Sequence, residues 1–101
     1  MASSESVLSN LGYDTRNTVS GEIALSACAR GISTAIMAEI MKPDNKGSFY
    51  DSNQDYAKEK LTQDYSGVIG SELPFIVSAT YKLGLMIGES WLLKEGYCNY
   101  E

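Results

Sequence analysis

Four glutamates come closest to a catalytic or metal-binding set in this chain. Glu22 and Glu39 belong to one long apolar segment, and Glu72 and Glu89 belong to another. Glutamates that face inward hold the metals of di-iron helical bundles, but those sites combine them with Glu-x-x-His motifs. The chain contains no histidine, so such a site cannot be assembled in its usual form. We interpret the four carboxylates as solvent-facing groups or as charges that compensate helix dipoles.

Lys82 is the second candidate for chemistry, as the one cation within the apolar stretch PFIVSATYKLGLMIG. A desolvated lysine can act as a nucleophile, but a lysine stem more often packs on apolar neighbours while its amine reaches water. The chain has neither the glycine patterns that bind phosphate nor a Gly-x-Ser-x-Gly elbow. We therefore predict a protein that is not an enzyme, with no catalytic, cofactor-binding or metal-ligating residues.

The segment FYDSNQDYAKEKLTQDY is the most site-like stretch, because it mixes aromatic rings with carboxylates. Tyrosine supplies a large contact area at low entropic cost, and interspersed acids suit a basic partner. The alternative is a solvated helix face whose tyrosines pack half against the protein. The predicted partner-binding residues are Phe49, Tyr50, Asp51, Asp55, Tyr56, Glu59, Asp64 and Tyr65.

The periodicity of apolar residues predicts an all-α fold in one domain over 1–101, a small bundle of a short N-terminal helix and three longer ones. Ser20 and Pro43 delimit the first long helix, and Pro74 and Gly96 delimit the last. Ser52 resembles the cap of the helix between them. The predicted ranges are a short helix and connection over 1–20, a helix over 21–42, a loop over 43–52, helices over 53–66 and 71–95, and a tail over 96–101.

Small residues recur one helical turn apart in both long helices. This spacing lets two backbones approach closely, either within one chain or across a helix dimer. Because both helices are apolar on more than one face, we expect the bundle to be completed by self-association, with a homodimer favoured. Gly31 indicates close packing, or alternatively a break between two shorter helices. The predicted packing positions or dimer seam are Ala27, Gly31, Ala35, Gly84 and Gly88.

The charge balance limits the classes of partner. Eight basic residues stand against 13 acidic ones, a net charge of −5, which argues against direct binding of nucleic acid through its phosphates. The apolar stretch around Lys82 is too interrupted by charge to predict a membrane span, so we expect a cytoplasmic protein. The sequence favours a small acidic interaction module that acts as an adaptor, regulator or inhibitor, of the kind that phages and mobile elements encode. The alternative is a helical pocket protein for an apolar or aromatic small molecule.

Overall fold

A computed structural model describes residues 19–65 and 73–96, and these form three helices and no strand. Helix α1 spans Val19–Met41, α2 spans Lys46–Asp64 and α3 spans Leu73–Lys94. The predicted all-α class is therefore confirmed. The predicted N-terminal helix and the tail after Gly96 lie outside the described residues.

Helix α1 ends where the chain can no longer continue it. Lys42 has left-handed backbone at φ 47°, which is common just after the last helical residue. Its amide donates to the carbonyl oxygen of Ala38 at 2.7 Å. Pro43 follows and disfavours helical geometry at the residue before it. The helix runs through Gly31 without a break.

Helix α2 begins earlier than the sequence predicted. Asn45 is its N-cap, with extended backbone at φ −125° and ψ 91° and a side-chain oxygen that accepts from the Ser48 amide at 3.1 Å. The predicted loop over 43–52 is therefore wrong from Lys46 onward, and Ser52 is not the cap. The turn-forming residues of this segment are helical because one strong cap satisfies the first turn and Tyr50 packs against the core.

Helices α1 and α3 run parallel and in direct contact. Gly31 lies against Gly84, and Ile32 and Ala35 lie against Gly88, so residue numbers rise together along both helices. A Cβ built at Gly31 would come within 2.9 Å of the Gly84 Cα and would overlap the carbonyl oxygen of Tyr81. Only glycine permits this backbone-to-backbone approach.

Helix α2 runs antiparallel to the other two and covers one side of the pair. Its Lys46 pairs with Glu39 near the end of α1 at 3.3 Å, whereas its Gln54 reaches Ser78 near the start of α3. Only three residues of α2 are buried, against ten in α1 and nine in α3. The core therefore lies between α1 and α3. Its largest fully buried side chains are Tyr81, Ile23, Val77, Thr80 and Cys28.

Candidate functional site

Two partly buried polar contacts join α2 to α3. The Gln54 Nε2 donates to Ser78 Oγ at 2.6 Å, and the Tyr81 hydroxyl donates to the carbonyl oxygen of Tyr50 at 2.9 Å. The two donor residues are 7% exposed (Gln54) and 1% exposed (Tyr81), whereas the acceptor residues Ser78 and Tyr50 are half-buried, so both bonds are partly shielded from water. Because they hold one face of α2 inward, they determine which side chains the helix presents to solvent.

Tyr81 is the described group whose titration is most perturbed by its surroundings. Burial raises the pKa of its hydroxyl above the ordinary value of 10.0, and the nearby Asp51 carboxylate acts in the same direction. A hydrogen bond with the Thr34 side chain opposes the rise in pKa. The hydroxyl is therefore neutral in the folded protein at physiological pH, and it can donate its proton to the carbonyl oxygen of Tyr50.

The outer face of α2 carries a row of three carboxylates. Asp51, Asp55 and Glu59 follow one another at intervals of one helical turn, and all three are exposed. Two lysines of the same helix pair elsewhere, Lys46 with Glu39 at 3.3 Å and Lys60 with Asp64 at 3.9 Å. Within residues 19–65 and 73–96, none of the three row carboxylates forms an ion pair. We call Asp51, Asp55 and Glu59 the acidic row.

Tyr56 gives the same face an exposed aromatic ring. Its side chain is 59% exposed, and the Arg30 guanidinium of α1 lies 6.0 Å from the ring centroid. That distance is at the outer limit of a cation–π contact, which orients the ring without covering it. Tyr56 precedes Glu59 by three residues in the same helix, and residues three apart are neighbours on a helix surface, so an exposed aromatic side chain lies beside the acidic row.

The predicted partner-binding residues separate into two groups. Tyr50 and Tyr65 are half-buried and pack against the core, and Phe49 is half-buried beside Tyr50, with ring centroids 6.4 Å apart. The remaining predicted residues are exposed and lie on the outer surface of α2. They are Asp51, Asp55, Tyr56, Glu59 and Asp64.

The predicted small-residue seam is occupied within the chain itself. Ala27, Gly31 and Ala35 are buried on α1, and Gly84 and Gly88 are buried on α3. A Cβ built on Gly88 would lie 2.8 Å from the Ala35 Cβ and 2.9 Å from the Ile32 carbonyl oxygen. The seam therefore joins two helices of one molecule and leaves no room for a second copy between them.

The glutamates on the long helices do not converge. Glu22 is exposed in the first turn of α1, Glu39 pairs with Lys46, and Glu89 is half-exposed on α3, whereas Glu72 lies outside the described residues. No group of three or more potential metal ligands occurs in the described part of the chain. Lys82 is exposed on α3.

Both long helices leave large apolar side chains exposed in the described structure. Ile40 of α1 is 75% exposed, and Phe75 and Met86 of α3 are 75% and 67% exposed. A groove of about 380 Å³ lies between the C-terminal ends of α1 and α3.

One described helix, α1, is long and apolar enough to cross a membrane by length and composition. Half of its most apolar window is buried against the rest of the protein, as in the core helix of a soluble bundle.

The sequence matches no protein family model and no curated protein, and the fold matches no solved structure.

Proposed function

We propose that the protein is a small, acidic, cytoplasmic interaction module that binds a protein partner through the outer face of α2. The observation that carries the proposal is the acidic row beside the exposed ring of Tyr56. Three carboxylates without ion pairs in the described structure give that face a negative potential, and the ring supplies contact area. The partner surface that fits is basic, with an apolar depression for the ring. No catalytic group or cofactor is part of this proposal.

The acidic row would act mainly on the rate of association. Complementary charges steer a diffusing partner and raise the association rate, and salt screens this effect. Tyr56 would act on the lifetime of the complex, because buried aromatic anchors carry much of the binding energy of an interface. Binding that depends on the row should therefore weaken as ionic strength rises.

The test is quantitative affinity capture with charge-matched variants. Asp51→Lys with Asp55→Lys reverses two charges of the row. Glu22→Lys with Glu95→Lys makes the same change in net charge at exposed positions away from α2. We expect a protein retained by the wild type to be lost by the α2 variant and kept by the control. Equal capture by all three proteins would remove α2 from the interface.

Once that partner has been identified, substitutions of Tyr56 test whether its side chain contributes to the binding energy. We expect Tyr56→Ala to weaken binding by more than about 1 kcal/mol and to act on dissociation, whereas Tyr56→Phe keeps the ring and most of the affinity. Tyr50→Ala is unsuitable as a binding test, because Tyr50 packs against the core and its loss would also change folding stability. Wild-type affinity in Tyr56→Ala contradicts the anchor role.

The groove at the C-terminal ends of α1 and α3 favours a second candidate function, the binding of an apolar small molecule. It is lined by Ile36, Ile40, Trp91 and Leu92, with Glu39 and Lys42 at its rim. Its volume is at the low end of ligand sites. Trp91 is the one tryptophan of the chain and also lines a second groove beside Met86, so its fluorescence responds to a ligand in either groove, and Ile40→Ser, which alters this groove only, assigns the response. A saturable shift on titration with apolar aromatic compounds would support this candidate, and an unchanged spectrum would exclude it.

A further inference from the structure

The solvent-facing side of α3 carries a regular row that the packing within the chain does not use. Phe75, Met86 and Leu93 are 75%, 67% and 49% exposed, and Ala79 is exposed between the first two. With Lys82 and Glu89 these residues recur at alternating intervals of four and three. We call these six residues the α3 row.

This spacing is that of a helix–helix seam. Residues that alternate between three and four positions keep one stripe facing a partner helix along the whole contact. The α3 row lies opposite the buried glycines Gly84 and Gly88, which face α1. A groove of about 480 Å³ runs beside Met86, lined in part by Leu83, Ile87 and Ser90. It can receive side chains from a partner helix.

The two charges of the row are complementary to each other. Glu89 follows Lys82 by seven residues, or about two helical turns, so both lie on the same side of the row. Within residues 19–65 and 73–96, neither side chain forms an ion pair. When two identical helices pack antiparallel about a twofold axis, the same side of each meets. Lys82 of either copy then faces Glu89 of the other.

We propose that the α3 row is a self-association surface on which α3 of a second copy packs antiparallel over its full length. Phe75 then lies opposite Leu93 of the second copy. Lys82 lies about 4–5 Å along the axis from Glu89 of that copy. The twofold symmetry forms each of these contacts twice, as expected for an isologous dimer. This surface is separate from the outer face of α2, so the inference does not rest on the proposed function.

The charge pattern identifies a second copy as the occupant. In a parallel pair with equal residue numbers level, Lys82 of one copy would lie about two turns along the axis from Glu89 of the other, and neither charge would have a partner of opposite sign. A bilayer would leave both charges in an apolar phase. Because one face of a single helix is a small interface, we expect a weak dimer with a dissociation constant in the micromolar range.

Charge reversal and its rescue test the contact. Sedimentation equilibrium at several protein concentrations measures the dimer dissociation constant of each variant. We expect Lys82→Glu alone and Glu89→Lys alone each to weaken the dimer at least tenfold, because each creates two like-charge contacts. The double variant should return to near the wild-type value. Lys60→Glu, on the exposed surface of α2, is the matched control and should leave dimerisation unchanged.

Cross-linking tests the orientation. In a background with Cys98→Ser, Met86→Cys places the two thiols about 6 Å apart along the axis, whereas Phe75→Cys places them about 27 Å apart. We expect a covalent dimer with a short thiol cross-linker from the first variant only. Efficient cross-linking at Phe75→Cys would indicate a parallel pair and overturn the proposal. A monomer at all concentrations, or a dimer that survives both single charge reversals, would also overturn it.

Discussion

The Tyr81 hydroxyl connects α3 to α2 and gives a pH-dependent prediction. Tyr81→Phe removes its hydrogen bond to the Tyr50 carbonyl oxygen, and we expect the free energy of unfolding at pH 7 to fall by about 1 kcal/mol. Because burial raises the pKa of Tyr81 above 10.0, its stabilising contribution is complete below pH 10 and is lost as pH rises through the folded-state pKa. The difference between wild type and variant should therefore shrink in alkaline solution.

Urea unfolding of both proteins between neutral and alkaline pH measures that difference. Tyr56→Phe at pH 7 is the control and should leave the stability unchanged, because its ring is largely exposed. A gap between wild type and Tyr81→Phe that grows with pH would contradict the assigned environment of Tyr81.

Glycine substitutions test the contact between α1 and α3. Gly31→Ala and Gly84→Ala would each drive a methyl group into backbone of the other helix, and we expect losses of about 1–3 kcal/mol or more in unfolding free energy. Helix propensity alone would favour alanine by about 1 kcal/mol, so the sign of the effect is decisive. Thermal or urea melts provide the measurement.

Gly47→Ala is the matched control for those two variants. Gly47 also lies in a helix, but a Cβ there would meet only the Asn45 side chain, at 3.4 Å. We expect this variant to be neutral or slightly more stable. If all three alanines stabilise the protein equally, the close approach of α1 and α3 is wrong.

How far the sequence predicts individual residues depends on how local their interactions are. The spacing of Gly31, Gly84 and Gly88 indicates close backbone packing, but it does not say whether the partner helix belongs to the same chain. The bond from Tyr81 to Tyr50 joins residues 31 positions apart, and no local pattern encodes it. The spacing of the acidic row can be seen in the sequence. The inward orientation of the Tyr50 side chain, in contrast, depends on tertiary packing.

Among the helix ends, the start of α2 gives a testable prediction, namely that Asn45 is its N-cap. Asn45 accepts from the Ser48 amide and so satisfies one of the free donors of the first turn. We expect Asn45→Ala to lower the unfolding free energy by about 1 kcal/mol. Ser52→Ala, at the position that the sequence favoured as a cap, lies inside the helix on an exposed face and should have little effect. Urea titrations of the two variants compare them directly, and the reverse order would return the helix start to Ser52.

Helix ends are predicted well where one residue forces them and poorly where several residues compete. Pro43 terminates α1 within a residue of the predicted end, and Gly96 adopts φ +77° just after α3. The start of α2 offers both Asn45 and Ser52 as caps, with Gly47 between them. Turn propensity favours the later start, but the packing of Tyr50 on the core stabilises the earlier one. Local propensity is a weak guide when tertiary contacts oppose it.

For the whole molecule, we expect stability to be unevenly distributed among the three helices. Native-state hydrogen exchange should show the slowest amides in α1 and α3 around Gly31 and Gly84. The amides of α2 should exchange through partial opening at lower free energy, because only Gln54, Ala57 and Leu61 of α2 are buried. Amides of α2 that are protected as strongly as those of α1 would show that the bundle opens only as a unit.

The parallel pairing of α1 and α3 has a consequence for the protein during its synthesis. Gly31 and Gly84 touch although the ribosome makes them 53 residues apart, and helix α2 between them offers α1 little apolar cover. At about 5–20 residues per second, Gly84 is added some 3–10 seconds after Gly31, so α1 is made that long before α3 can pair with it. The nascent chain therefore carries an unpaired, strongly apolar helix throughout that interval, when chaperones and other nascent chains compete with α3 for the same face.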